Sequence, residues 1–537
     1  MVYTAPEPEK PIPTNISIYN ILFNNDRNIP KDTTLFIDAE DPSISLTYEQ
    51  LRTQILKCAA NLKNKLELKP KDVVAICSPN CIDYIVLLHA TVCAGGVLAA
   101  IDYASIAQQI ASDVDVSQAK YLIAHSSTLD QALEAAKSVG LPRNNILVFG
   151  DEKINGIRSV TETLLSGDEL AVPYDYSEYE IMHSPAYLYY TSGTTGKKKA
   201  VMMTQYNILA SFFIKDNWEF STETVIAYTE FHHASSLCVI MHIAIFYGFT
   251  VYVMTHYSLP KLCQAIQDFK VTFFATQPYI IASMAKEEIT NKYDFSSLKG
   301  VICGGAALDN AVTRLAVEKL GIYVLNAYGM TEALGMFLSD PAITFMGGVG
   351  AIAPGFSAKI IDEDGNDVEE GQMGELIVKG PTITQGYYRN LKATKSTIDS
   401  DGYLHTGDLF RCNKDGIFFY IDRHKDLIKY KLHHIYPSDI ESVLFTHPMV
   451  SDCAVIGVYY PEFTTELPRA YIQLVGDEKY NPKIEQEIQT YADSRLPNEK
   501  RLRGGVVIVN SFPRTASGKI QRRILREKSS QSNTISI

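Results

Sequence analysis

The 537-residue chain lacks most of the features that would tie it to a surface, a membrane or an oxidising compartment. Its nine cysteines, spread from Cys58 to Cys453, form no Cys-x-x-Cys pair and are odd in number. A disulfide framework and a cysteine-rich zinc site are therefore not expected, and a reducing compartment fits, with the thiols acting as small buried hydrophobes. There is one tryptophan. No block of like charge dominates, and the net charge is -12. This balance speaks against nucleic acid or an anionic membrane as the main partner, because both select basic surfaces. The longest apolar stretch, residues 237 to 254, is interrupted by His242, Gly248 and Thr250. It reads as a buried helix, a glycine break and a strand rather than a membrane span. The proline-rich start lacks the apolar core of a signal peptide, and the Ser-Ile-Ser-Ile end lacks a Ser-Lys-Leu address. The expectation is a cytoplasmic protein.

What is present is a long α/β pattern. Residues 73–76, 121–124 and 146–149 read as buried strands, and 82–94 as a buried helix between them. Alternation of this kind predicts layers of helices around largely parallel sheets. Beyond Gly355 the texture changes to short strands at 358–361, 375–378 and 418–421, separated by Gly, Asp and Asn turns. Helix and strand then return, at 437–446, 454–458, 484–496 and 506–509. The fold class is thus α/β: a large N-terminal domain of layered α/β subdomains with a small β-rich subdomain (1–422), then a small α+β C-terminal domain (423–537).

Five short runs carry chemistry. After a strand at 186–190 comes Thr191-Ser192-Gly193-Thr194-Thr195-Gly196-Lys197-Lys198-Lys199. Glycines let backbone approach an anion, hydroxyls and N–H groups bind phosphate oxygens, and lysine adds charge. The spacing is not that of a Walker A loop. Tyr328-Gly329-Met330-Thr331-Glu332 combines an aromatic face with a hydroxyl and a carboxylate suited to a hard cation. Asp408 closes Tyr403-Leu404-His405-Thr406-Gly407-Asp408, and a carboxylate can accept from two ribose hydroxyls at once. Asp422-Arg423-His424-Lys425-Asp426 reads as a charged, exposed linker. Pro513-Arg514-Thr515-Ala516-Ser517-Gly518-Lys519 ends on a lysine, and Arg522, Arg523, Arg526 and Lys528 beyond it read as a solvated basic helix face.

Together and in this order, the runs resemble the motifs of the acyl-adenylate-forming superfamily, which includes acyl-CoA synthetases, 4-coumarate–CoA ligases, peptide-synthetase adenylation domains and beetle luciferases. The resemblance covers residues 48 to 526. It implies ATP-dependent, Mg²⁺-assisted activation of a carboxylic acid to acyl-AMP with release of pyrophosphate, followed by transfer to CoA. Thr191 to Gly196 and Lys199 would hold phosphate. Ala327 and Tyr328 would flank the base, Asp408 and Arg423 would hold the ribose, and Thr331 would contact the α-phosphate. Glu332 would be the metal ligand, and Lys519 the cation across the attacking carboxylate and the leaving pyrophosphate. Lys429 and Lys431, past the hinge, would serve the second step. The acid pocket would draw on His233, Ser235, Gly304, Gly305, Ala306, Ala327 and Gly329. His233, where amino-acid-activating relatives place Asp, points to an acid without an α-ammonium. Ala234-Ser235-Ser236, where luciferases have Gly-Phe-Gly, weighs against light emission.

Several positions depart from the pattern: Lys198 for Pro, Ala200 for Gly, Gln205 for His, Ala307 for Pro and Leu432 for Gly. The changes at 198, 200 and 205 should alter nucleotide affinity. Leucine adds bulk and resists positive φ, so Leu432 should impair use of CoA or point to another acceptor. The other readings are transfer of the acyl group to a carrier protein, oxidation of the acyl-AMP, and a non-catalytic nucleotide-binding protein.

Substituting Lys519→Ala is expected to lower acid-dependent pyrophosphate release by roughly 10²- to 10³-fold, as for loss of one oriented charge stabiliser. Thioester formation from supplied acyl-adenylate, followed by thiol consumption, should stay near wild type.

Overall fold

The computed structural model describes residues 1–5, 11–24, 27–191, 198–213, 223–431, 433–476, 482–514 and 519–532. Two sheets of seven strands each build the α/β part. The first runs in the order Lys199–Thr204, Pro185–Thr191, Val97–Ile101, Val73–Cys77, Tyr121–Ala124, Ile146–Val148, Arg158–Ser159. Only its first strand is antiparallel. The second runs Tyr323–Ala327, Gly300–Gly304, Phe273–Thr276, Thr224–Ala227, Thr250–Val253, Thr34–Asp38, Ser45–Thr47, antiparallel at its last pair alone.

The central strands Val73–Cys77, Val97–Ile101 and Tyr121–Ala124 are buried throughout because both faces are covered. In Val73–Cys77, Val74 and Ile76 pack into one core, while Val73, Ala75 and Cys77 pack into another. This is the period-two alternation of a strand between two helical layers. In Thr224–Ala227, Val225 and Ala227 join the first core, and Ile226 faces a third. The two sheets therefore share a central core. The helices Tyr48–Asn64 and Ile82–Cys93 contribute to it, the former opened by a Thr47–Gln50 capping box. The 237–254 stretch folds as the pattern predicts: helix, Gly248 at φ 74, then the strand Thr250–Val253. Among the described residues no helix is long and apolar enough to cross a membrane.

The third sheet is antiparallel throughout: Val2–Thr4, Ser357–Ile361, Gly374–Lys379, Leu404–Cys412, Ile417–Arg423, Gly350–Ile352, Phe337–Leu338. After Arg423 the chain forms separate sheets with a core of their own. A long hairpin pairs Val450–Tyr460 with Thr465–Leu474, joined by Val506–Ile508 and flanked by the helices Pro437–Phe445, Pro482–Asp493 and Arg522–Ser532. It meets the second sheet's layer where Lys286 Nζ donates to the carbonyls of Phe445 and Val450 at 2.9 and 2.7 Å.

Two sequence expectations are corrected here. The 422–426 run is not an exposed linker: Asp422 and Asp426 are buried, and only His424 and Lys425 face solvent. Nor is the last helix simply a solvated basic face. Arg522 Nη2 lies 2.6 Å from Glu441 Oε1, and Arg526 Nη2 lies 3.0 Å from Asp426 Oδ1. Burial opposes the charge of Arg522, and Glu441, Asp426 and Asp422 overcome it. Arg523, 72% exposed beside Glu527, does match the expectation. The sequence could not separate these arginines, because their carboxylate partners lie about a hundred residues away in the chain or nearly so.

Replacing Arg522 with Met should destabilise the C-terminal unit by about 3 kcal/mol, the low end for a broken buried pair, since both partners keep some contact with water. Arg523→Met should cost less than about 0.5 kcal/mol. Urea unfolding of the two variants measures the contrast.

Candidate functional site

The site is assembled at the carboxyl ends of the parallel strands, where crevices between α/β layers form. Its centre is Asp408. The antiparallel register of Leu404–Cys412 and Ile417–Arg423 sets Asp408 opposite Arg423, after Gly407 at φ 68. Arg423 Nε stands 3.1 Å from Asp408 Oδ1, and the Tyr328 hydroxyl donates to Oδ2 at 2.7 Å. Tyr328 follows the strand Tyr323–Ala327. Its ring packs edge-on against Phe410 at 4.8 Å, near Tyr420. Asp408 is buried, and its charge is met by the guanidinium.

Lys519 is brought to the same place by the C-terminal unit. Its pKa is pushed down to about 7, by burial first and then by Arg423 and Arg522, with Asp408 and Asp426 opposing. Arg423, Lys519 and Arg522 thus bear on one region. A cation held near neutrality by burial and like charge is stabilised by an incoming polyanion.

A hairpin frames the phosphate-loop candidate. Thr191 pairs directly with Lys199, so the intervening residues connect two antiparallel strands. Ser192, Gly193, Thr194, Thr195 and Gly196 lie outside the described residues. Lys198 Nζ is 2.9 Å from Asp113 Oδ2 and 3.3 Å from Ser105 Oγ, which ties the base of the loop to the helix Ala107–Ser117. Burial raises the Asp113 carboxyl to about 6 against the pull of Lys198. The lysine that departs from the family pattern therefore has a structural partner. Lys199 Nζ sits 4.0 Å over the Tyr387 ring, and the Tyr387 hydroxyl donates to Glu332 Oε1 at 2.7 Å. This phenol links the loop to the carboxylate read as a metal ligand. Sequence reasoning missed it, because Gly386-Tyr387-Tyr388 carries neither charge nor spacing to mark it. Thr331 is half-buried in the turn that the Met330–Ala333 bridge closes.

Around the second sheet's strand ends, Gly304 pairs with Ala327. A Cβ on Gly304 would lie 2.7 Å from the Ala327 carbonyl oxygen, so the close approach requires glycine. Gly305, at φ 81, and Ala306 follow, both exposed, as are Gly329 and Ser235. His233, at the start of Ala234–Cys238, has Nε2 3.1 Å from Glu230 Oε2.

The structure does not bring Lys429 or Lys431 to this cluster. Lys429 is exposed, with its backbone N–H on Glu466 Oε2 at 2.8 Å. The Lys431 N–H donates to Thr465 Oγ1 at 2.6 Å. Lys431 itself adopts the left-handed conformation, φ 53, and Leu432 lies outside the described residues.

Comparisons with known proteins identify the family. The model of the AMP-binding enzyme family matches residues 23–388, and that of the AMP-binding enzyme C-terminal domain matches 439–519. A phenylacetyl-CoA ligase of Aspergillus niger is 32% identical, over 92% of this chain and 93% of its own. A probable 4-coumarate–CoA ligase of Dictyostelium discoideum is 28% identical, over 97% and 95%. The crystal structure of ATP-bound MatB from Rhodopseudomonas palustris superposes with a TM-score of 0.82 at 26% identity, covering 96% of this chain and 98% of that one.

At pH 8 Lys519, with its pKa near 7, is mostly neutral, and the charge of a bound nucleoside triphosphate favours the ammonium form. Nucleotide binding should then take up about one proton, and the uptake should vanish above the ordinary lysine range. Calorimetry in buffers of differing ionisation enthalpy measures it, with Lys519→Ala showing none.

Proposed function

Since this chain belongs to the AMP-binding enzymes, we propose that it is an acid–CoA ligase that converts a carboxylic acid and ATP to acyl-AMP and pyrophosphate, then passes the acyl group to CoA. The observation that carries the reading is the meeting of Tyr328 and Arg423 on Asp408, whose charges Lys519 feels. Asp408 and Arg423 hold the ribose, and Tyr328 lies along the base. Thr191, the 192–196 run and Lys199 hold the phosphates, with Thr331 at the α-phosphate.

In the first step the acid's carboxylate oxygen bonds to the α-phosphorus as the bond to the β-phosphate oxygen breaks. Lys519, protonated in the presence of the polyphosphate, offsets charge moving onto pyrophosphate. Glu332 suits a magnesium ion. It is a buried carboxylate whose Oε1 is fixed by Tyr387, and among the described residues no donor engages Oε2. Magnesium takes one or two carboxylates together with substrate phosphates, and when bound it would neutralise phosphate charge. His233 stands beside the acid, in a pocket with Ser235, Gly304, Gly305, Ala306, Ala327 and Gly329. A histidine rather than an aspartate at this position suits an aromatic or short- to medium-chain acid without an α-ammonium.

In the second step the CoA thiol sulfur attacks the acyl carbon and AMP leaves. Lys429 and Lys431 lie away from the site, consistent with a chain that divides at 422–423 and turns its C-terminal unit between steps. Leu432 then bears on the rate of this step, not on adenylation.

Pyrophosphate release from ATP and Mg²⁺ across a panel of carboxylic acids, with and without CoA, tests the reading. One acid class should elicit release, and CoA should raise turnover. Release unaffected by CoA, with acyl-AMP retained on the protein, would replace CoA by another acceptor; no release with any acid would refute adenylation.

A further inference from the structure

The segment that follows the strand Thr224–Ala227 carries Glu230, His232 and His233 within four residues. One donor atom from each lies within 4.8 Å of the others. His233 Nε2 is 3.1 Å and His232 Nε2 is 3.8 Å from Glu230 Oε2. Asp102, one residue past the strand Val97–Ile101 of the other sheet, places Oδ1 3.7 Å from His232 Nε2. The two longer distances exceed hydrogen-bonding range. They lie just above the spacing of a different geometry: a tetrahedral ion with bonds of about 2.0–2.2 Å sets its donors about 3.3–3.6 Å apart, so a small inward shift would seat one.

His232 supplies an independent indication. Its side chain is 4% exposed, and among the described residues neither ring nitrogen has a hydrogen-bond partner. A buried polar side chain left in this state is costly, and a metal bond would satisfy it. The segment is also held in place. Asn80 Oδ1 accepts from the Phe231 N–H at 2.8 Å, Asn80 Nδ2 donates to the Thr229 carbonyl at 3.0 Å, and the Tyr189 hydroxyl donates to the Phe231 carbonyl at 3.1 Å. Donors fixed before binding lose little freedom on meeting an ion.

We propose that Glu230, His232 and His233, with Asp102 as fourth donor, bind a divalent cation of the zinc class at the mouth of the acid pocket. Two imidazoles with carboxylates favour a borderline-soft ion over magnesium, which prefers an octahedron of oxygens. The site is therefore distinct from Glu332. A cation held by His233 occupies the seat given above to the acid, so zinc competes with the acid for the enzyme. Only this competition, not the binding, rests on the proposed function.

Cobalt titration of the metal-free full-length protein tests the site. One equivalent should bind with the intense visible absorption of tetrahedral Co²⁺, and Zn²⁺ should displace it. Glu230→Gln and His232→Gln should each weaken Zn²⁺ binding at least about tenfold in competition with a chromophoric chelator, as expected for loss of one of four donors. Circular dichroism checks each fold, and Asp102→Asn replaces either variant that fails to fold. Absence of the tetrahedral spectrum, or unchanged affinity in the folded variants, would overturn the proposal. Pyrophosphate release inhibited by Zn²⁺ and restored by more acid upholds the competition. Cobalt binding with release indifferent to Zn²⁺ upholds the site and overturns the seat of His233 beside the acid.

Discussion

A single buried carboxylate organises this protein. Asp408 lies where water cannot compensate its charge, and it is met by Arg423 from the paired strand and by the Tyr328 hydroxyl from the end of another sheet. An uncompensated charge there would cost several kcal/mol. The antiparallel sheet and the second parallel sheet must therefore keep their mutual positions for Asp408 to keep these two partners. Lys519 enters the same field without adding to the compensation it needs. Burial and the positive charges of Arg423 and Arg522 push its ammonium toward neutrality, and a bound polyphosphate would restore the charge.

The same economy appears at the phosphate-loop hairpin. Lys198 and Lys199 are adjacent in sequence, yet they point to different partners: one to the buried Asp113, the other to the Tyr387 face. Alternate residues of a strand leave on opposite sides, so two neighbouring lysines reach two layers of the fold. Through Tyr387 the loop is coupled to Glu332, and the phosphate and cation candidates share one scaffold.

Much of the fold was legible before any coordinates. Val73–Cys77, Ile82–Cys93 and the break at Gly248 follow from local apolar runs and a glycine. The 422–426 stretch and the last helix were misjudged for one shared reason. A charge reads as solvated when its partner is not nearby in sequence, and Asp426 finds Arg526 a hundred residues on. Tyr387 and Asp113 escaped notice similarly: neither has a chemical signature until Glu332 and Lys198 stand beside it.

By itself the sequence determined the layered α/β class, the order of the motifs and the residue types suited to phosphate, ribose and acid, because periodicity and short motifs are local properties of the chain. Only the tertiary structure decided which of those residues meet. It joined Asp408 to Arg423 through strand register, set Lys519 among them while leaving Lys429 and Lys431 outside, and turned Arg522 inward and Arg523 outward. It also drew Asp102 of one sheet toward His232 of the other. Burial and charge pairing are properties of packed surfaces, and residues far apart in the chain acquire them only when sheets and helices close around a common core.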